Sequence, residues 1–149
     1  MLNISGKLVS QIQYEAEKAY PNECCGFILG SLSEKCKSAQ QILPCNNSSE
    51  SNEKYHRFVI TPEDMLKAER LARFIKLDII GFYHSHPDCA AKPSDYDTSH
   101  ALPIYSYVIV SAVQGKSADF KSWVLDDESC KQFQSEVINT EKGEKFLWL

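Results

Sequence analysis

No stretch of these 149 residues stays apolar long enough to cross a bilayer. The apolar runs are strand-sized, such as Ile79-Ile80-Gly81-Phe82-Tyr83, whereas a membrane helix needs about 20 such residues. Basic charge is not in surplus either. Lys and Arg number 16 against 20 Asp and Glu, and they form no stripe, so the electrostatic footprint of a nucleic-acid binder is missing. Met1 to Lys18 contains no basic stretch followed by an apolar one, so no secretory signal is expected. Six cysteines are present without a single C-x-x-C pair, and with no export signal reduced thiols are the default. A thiolate zinc knuckle is therefore not expected. Repeats, low-complexity tracts and linkers are also missing. What remains is an ordinary globular composition, 43% hydrophobic and 24% charged, in a chain long enough to bury most of its surface. The expectation is one soluble, cytoplasmic domain over residues 1–149, with neither nucleic acid nor membrane as a partner.

Periodicity supplies the elements. Leu8, Ile12, Ala16 and Ala19 recur at helical spacing, and Pro21 ends that pattern. Cys24 to Gly30 reads as a buried strand, Gln41 to Cys45 as a short one, and Asn46 to Glu53 as a solvated loop. After a strand from Tyr55 to Ile60, Thr61 is the N-cap of a helix with Pro62 at its first position and Glu63 and Asp64 in its first turn. Asp78 to Tyr83 is a buried strand, followed by an irregular stretch from His84 to Pro93 and a short helix from about Ser94. Tyr105 to Val110 and Phe120 to Leu125 are strands joined through a turn at Gly115, and Phe133 to Ile138 is a weaker strand or helix. The chain ends on Phe146-Leu147-Trp148-Leu149, read as folding back on the core, with a docking segment as the alternative. Helices interleaved with strands indicate an α/β or α+β layered domain. Strand order is not contained in this pattern.

One constellation carries chemistry. His84 and His86 flank Ser85 directly after a buried strand, and in an extended chain residues two apart point to the same side. After a seven-residue gap comes Ser94, with Asp97 three positions on. Two imidazoles and one carboxylate make three protein ligands and leave a fourth tetrahedral position for water, which is how catalytic zinc is held. Ser94-x-x-Asp97 is also an N-terminal capping pattern. The two readings are compatible, because a capped helix holds its carboxylate rigidly.

His84-Ser85-His86-Pro87, the gap, Ser94 and Asp97 resemble the signature of the JAMM (MPN+) metalloproteases, and Pro93 and Ala101 agree with it. Pro21-Asn22-Glu23-Cys24-Cys25-Gly26 resembles the family's glutamate element in the form of its small prokaryotic members, and the order of elements fits from about residue 5 to 126. The resemblance implies a cytidine-deaminase-like fold, a curved mixed sheet flanked by helices, with residues 127–149 as a C-terminal extension. It implies Zn2+ on His84, His86 and Asp97, with Glu23 carrying protons from the metal's water to the departing amine. Ser94 would donate to the oxyanion. The implied substrate is a ubiquitin-like protein ending in Gly-Gly, a sulfur carrier protein given how little room Asp97 to Tyr105 leaves for the insertion of larger deubiquitinating members. Neither the leaving group nor the oligomeric state is specified.

Other readings stand beside this one. A non-catalytic module of the same fold serving protein interaction is the first, and a deubiquitinase-like isopeptidase acting on conjugates the second. A non-haem iron oxygenase would use the same two histidines and carboxylate but leaves Glu23 and Ser94 without roles. A zinc deaminase would need H-x-E and P-C-x-x-C, which this chain does not have. His100 is expected on a helix surface, His56 on a surface strand beside Arg57, and Cys25 in packing.

Overall fold

The computed structural model describes residues 1–49, 58–126 and 132–140. A two-residue strand β1 (Leu2–Asn3) leads to helix α1 (Gly6–Ala19), which Ser5 caps by accepting the Leu8 N–H, and which buries the predicted Leu8, Ile12 and Ala16. Strands β2 (Cys25–Leu32) and β3 (Lys37–Cys45) form an antiparallel pair. Helix α2 (Pro62–Phe74) begins as its sequence dictates, with a capping box between Thr61 and Asp64. Strand β4 (Asp78–Pro87), the short helix α3 (Asp95–His100), and strands β5 (Ser106–Val113) and β6 (Lys116–Leu125) follow. Two short strands, β7 (Phe133–Glu136) and β8 (Ile138–Asn139), close the described chain. Among the described residues no helix is long and apolar enough to cross a membrane.

The eight strands form one mixed sheet in the order β7-β6-β5-β4-β2-β3-β1-β8. Strands β7 and β8 are separated in sequence by Val137 alone yet sit at its two ends, so the sheet curves until it nearly closes through that residue. The Leu2 and Ile4 N–H groups donate to the Val137 and Asn139 carbonyls at 2.9 and 3.0 Å. Glu136 pins this closure. One carboxylate oxygen accepts from Ser106 and Ser122 hydroxyls at 2.6 and 2.8 Å, and the other lies 3.5 Å from both Lys37 Nζ and the Met1 ammonium. Its side chain is nearly fully buried, so Glu136→Ala strips a half-buried lysine of this partner and removes the acceptor of two serine hydroxyls. A loss of about 3–5 kcal/mol is expected, read by urea unfolding.

Each face of the sheet has its own core. Ile28, Ile80, Tyr83, Val108 and Val110 pack under α1, and Phe27 and Leu29 pack against Ala68 and Ala72 of α2. Gly26 belongs to the first face, where any side chain would run into the Tyr83 ring.

The structure corrects four of the expectations drawn from sequence. Strand β4 does not end at Tyr83 but runs to Pro87, because pairing with β2 extends the ladder to His84 and pairing with β5 carries it on through His86. Strand β3 starts at Lys37 and not Gln41, its length set by its partner β2 despite a half-exposed, polar pattern. Residues 133–139 are two strands rather than one element. Phe58 to Ile60 is not strand, while Tyr55 to Arg57, including His56, lie outside the described residues, as does the tail from Phe146 to Leu149.

Candidate metal centre and active site

The site grows from β4. His84 pairs with Cys25 of β2 on one side and Ile109 of β5 on the other, and His86 sits opposite Ser111. Strand alternation turns both imidazoles to the α2 side, the side of Phe82, and both are buried. The third donor arrives from α3. Asp97 is the third residue of that helix, and its Oδ2 accepts the Ser94 N–H at 2.8 Å while Ser94 Oγ accepts the Asp97 N–H at 3.1 Å. The capping box therefore exists, and it aims the carboxylate instead of competing with it.

The three donor atoms close on one point. His84 Nε2 is 3.1 Å from His86 Nε2, and each lies 3.3 Å from Asp97 Oδ2. A tetrahedral ion with bonds of about 2.0–2.1 Å separates its ligand atoms by about 3.3–3.4 Å, so this triangle fits one zinc-sized cation. Lone pairs converging this closely repel unless a proton or a metal cation lies between them. The ring of His86 is oriented for that role, since its Nδ1–H donates to the Ala90 carbonyl at 2.9 Å and leaves Nε2 as an acceptor. Trp123 Nε1–H donates to the neighbouring Ala91 carbonyl at 3.1 Å and steadies the same loop.

Glu23 faces the same point. Its carboxylate and the two imidazoles each place a donor atom within 4.8 Å of the others. It stands two residues before β2, in the stretch between helix α1 and the strand. It is also 6% exposed, which excludes a solvent-facing carboxylate. Burial pushes its pKa up to about 8, against the pull of His86 and with the added repulsion of Asp97. Burial also lowers His84, keeping that imidazole neutral. Burial pulls His86 down as well, but the bonds to Asp97 and the Ala90 carbonyl prevail and raise it. Asp97 is the converse case, since burial pushes it up while both histidines and the Ser94 N–H hold it far below the usual carboxylate range.

Two further residues hold Glu23 in place, and the sequence reading singles out neither. Ser85 points away from the histidines and is fully buried. Its Oγ accepts the Cys24 N–H at 2.8 Å, and its own N–H donates to the Cys24 carbonyl at 3.1 Å. Asn47 Nδ2 donates to the Glu23 carbonyl at 3.1 Å. The position of Ser85 is legible once β4 is extended, because alternation turns it to the other face. Nothing in the sequence marks Asn47.

A cleft of 430 Å³ opens beside His84 and Asp97, walled by Phe58, Val59, Tyr96, Leu102, Tyr105 and Phe133. Phe58 stacks on His84 with ring centroids 4.5 Å apart. Its dimensions and apolar lining are those of a ligand site. His100 is an exposed helix residue as expected, though at the rim of this cleft, where its ring packs on Tyr96. Cys25 is buried against the Cys45 carbonyl, in packing as expected.

Comparison with known proteins places this geometry in context. The model of the prokaryotic homologs of the JAB domain matches residues 5–126. The chain is similar to a tail tip assembly protein K of Escherichia phage N15, 33% identical over 111 residues, covering 73% of this chain but only 40% of that longer protein. It is also similar to a desampylase of Pyrococcus furiosus, 26% identical over 107 residues, covering 72% of this chain and 69% of that one. Among solved structures, a protein from Desulfitobacterium hafniense superposes with a TM-score of 0.80 at 27% identity, over 94% of this chain and 92% of that one. A JAB1/MPN domain protein from Archaeoglobus fulgidus superposes with a TM-score of 0.57 at 17% identity, over 93% and 96%, a likeness of fold alone.

Proposed function

We propose a reaction for this chain on the premise that it belongs to the family of prokaryotic JAB-domain homologs: zinc-dependent hydrolysis of the amide that follows the C-terminal Gly-Gly of a ubiquitin-like protein, with sulfur carrier proteins as the substrate class. The likeness to a desampylase supports an isopeptidase acting on a ubiquitin-like partner. The observation that carries the reading is the convergence of His84, His86 and Asp97 on one point with a buried Glu23 beside it.

In this reading His84, His86 and Asp97 hold the zinc. When bound, the ion supplies Lewis acidity, acidifying water and polarising the amide carbonyl. Glu23 does the proton work, taking a proton from the attacking water and delivering it to the departing amine. Burial lifts this carboxylate to about 8 in the metal-free site, and the charge of a bound ion would bring it down to where it can take a proton and give it back near neutral pH. Ser94 uses Oγ as an acceptor in the helix cap, so its hydroxyl proton is left to donate to the developing oxyanion. An extended Gly-Gly has no side chains to hold it away from these groups. The apolar cleft beside His84 is suited to the residues that precede it.

The test is intact mass spectrometry of a sulfur carrier protein extended beyond its Gly-Gly, incubated with the zinc-loaded chain with and without chelator. The expected result is loss of the mass that follows Gly-Gly, abolished by chelator and restored by zinc, with one zinc bound per chain. One bound zinc without cleavage would remove the substrate assignment and leave the metal site. Neither zinc nor cleavage would favour a non-catalytic interaction module.

A further inference from the structure

We infer that Asn47 is a positioning residue that ties Glu23 to the wall of the cleft. The inference rests on the reading of Glu23 as the proton carrier. Glu23 lies beyond the end of the β2–β3 ladder, whose last rung is Cys25 opposite Cys45. On the β4 side its neighbour Cys24 is clamped by Ser85. On the β3 side the ladder has ended, and the side chain of Asn47, two residues past Cys45, holds the Glu23 carbonyl at 3.1 Å.

The other end of the same side chain reaches elsewhere. Asn47 Oδ1 accepts the Ser49 N–H at 3.0 Å and the Val59 N–H at 3.2 Å, and the Ser48 N–H donates to the Val59 carbonyl at 3.2 Å. Val59 and the adjoining Phe58 line the cleft, and Phe58 stacks on His84. An asparagine that serves only its own turn needs just the bond from Oδ1 to the N–H two residues on. The bonds to Glu23 and Val59, 24 and 12 residues away, are not needed for that turn. They link three segments at the site: the carrier of the proton, the loop after β3 and the cleft wall.

Asn47→Asp separates these functions. It keeps an acceptor for Ser49 and Val59, loses the donor, and turns an oxygen towards the Glu23 carbonyl. With a sulfur carrier protein extended beyond Gly-Gly as substrate, kcat is expected to fall by about 10–100-fold, the scale of a small misplacement of a reacting group. KM and bound zinc should stay near the parent's, with the melting temperature lowered only by the few degrees that one lost hydrogen bond costs. The second readout needs no substrate or metal: in the 15N–1H spectrum of the metal-free protein, the Cys24 amide, which shares its peptide group with the Glu23 carbonyl, should shift. The Ser49 and Val59 amides keep their acceptor, now a charged carboxylate oxygen, and should stay downfield with their bonds retained rather than move towards the positions of unbonded amides. A parent-like kcat, an unmoved Cys24 amide, or a melting temperature lowered beyond those few degrees with KM impaired together with kcat would each overturn the inference. Glu23→Gln in the same assay keeps the two ideas apart. If it is inactive while Asn47→Asp cleaves normally, only the positioning role fails. If Glu23→Gln itself cleaves at the parent rate, the reading of Glu23 fails.

Discussion

Glu23→Gln is expected to bind zinc as the parent does and to cleave about 10²–10⁴-fold more slowly, the range that a positioned proton carrier supplies. The amide matches the shape of the protonated acid and keeps the same buried niche, so neither the fold nor the three donors at His84, His86 and Asp97 are disturbed. What is lost is the ability to take up a proton and give it back. The same substitution has a second signature in the metal-free protein. Burial raises the folded pKa of Glu23 to about 8, above its ordinary value of 4.5. Between those two pH values the folded chain therefore holds a proton that the unfolded chain has released, and stability falls as pH rises, by up to about 1.4 kcal/mol per pH unit. The glutamine amide carries no such titrating proton, so the variant should gain on the parent from about pH 5 to pH 8. His84 acts in the opposite sense, since its lowered folded pKa makes stability rise with pH through its ordinary value of 6.5, and both chains share that contribution. Urea unfolding in chelator at several pH values measures the difference. Parallel curves would mean that Glu23 ionises freely, and parent-like cleavage would remove it from the mechanism.

The parts of this molecule that sequence reveals are those whose signal is local. Helix α2 is legible to its first residue because Thr61, Pro62 and Asp64 act on one another within a turn. The candidate site residues stand out by their spacing, and the structure brings Glu23, His84, His86 and Asp97 together, with Ser94 fixed to Asp97 through the cap. What escapes is what strands decide by pairing. Histidines and a proline are poor strand signals, so pattern alone ends β4 at Tyr83, yet the ladder from β2 carries it to His84 and that from β5 on to Pro87. The closure of the sheet through Glu136 joins residues from β3, β5 and β6 and the chain's first residue, and no window of sequence contains that set. Asn47 is invisible for a similar reason. An asparagine in a polar loop carries no mark of the carbonyl it will meet 24 residues away.

Asp97 offers the sharpest division between a metal site and a capped helix, because one carboxylate oxygen is placed for both. Oδ2 accepts the Ser94 N–H and also faces both imidazoles. In Asp97→Asn the amide oxygen can still accept that N–H, so the helix start survives. The charge that balances the ion does not, and the amide can present a donor to the two lone pairs. Zinc affinity of Asp97→Asn is therefore expected to fall by well over the roughly 10–100-fold that loss of an outer partner costs. Cleavage should vanish at zinc concentrations that saturate the parent. Ser94→Ala is the converse. It removes the cap oxygen at a cost of about 1 kcal/mol and leaves the backbone N–H that aims Asp97 intact. That variant should keep its zinc, melt somewhat lower and lose kcat with little change in KM. Zinc titration followed by calorimetry reads both. If Asp97→Asn bound zinc like the parent while Ser94→Ala lost it, the carboxylate would be a cap alone, and the third ligand would have to be Glu23, whose donor atom already lies within reach of both histidines.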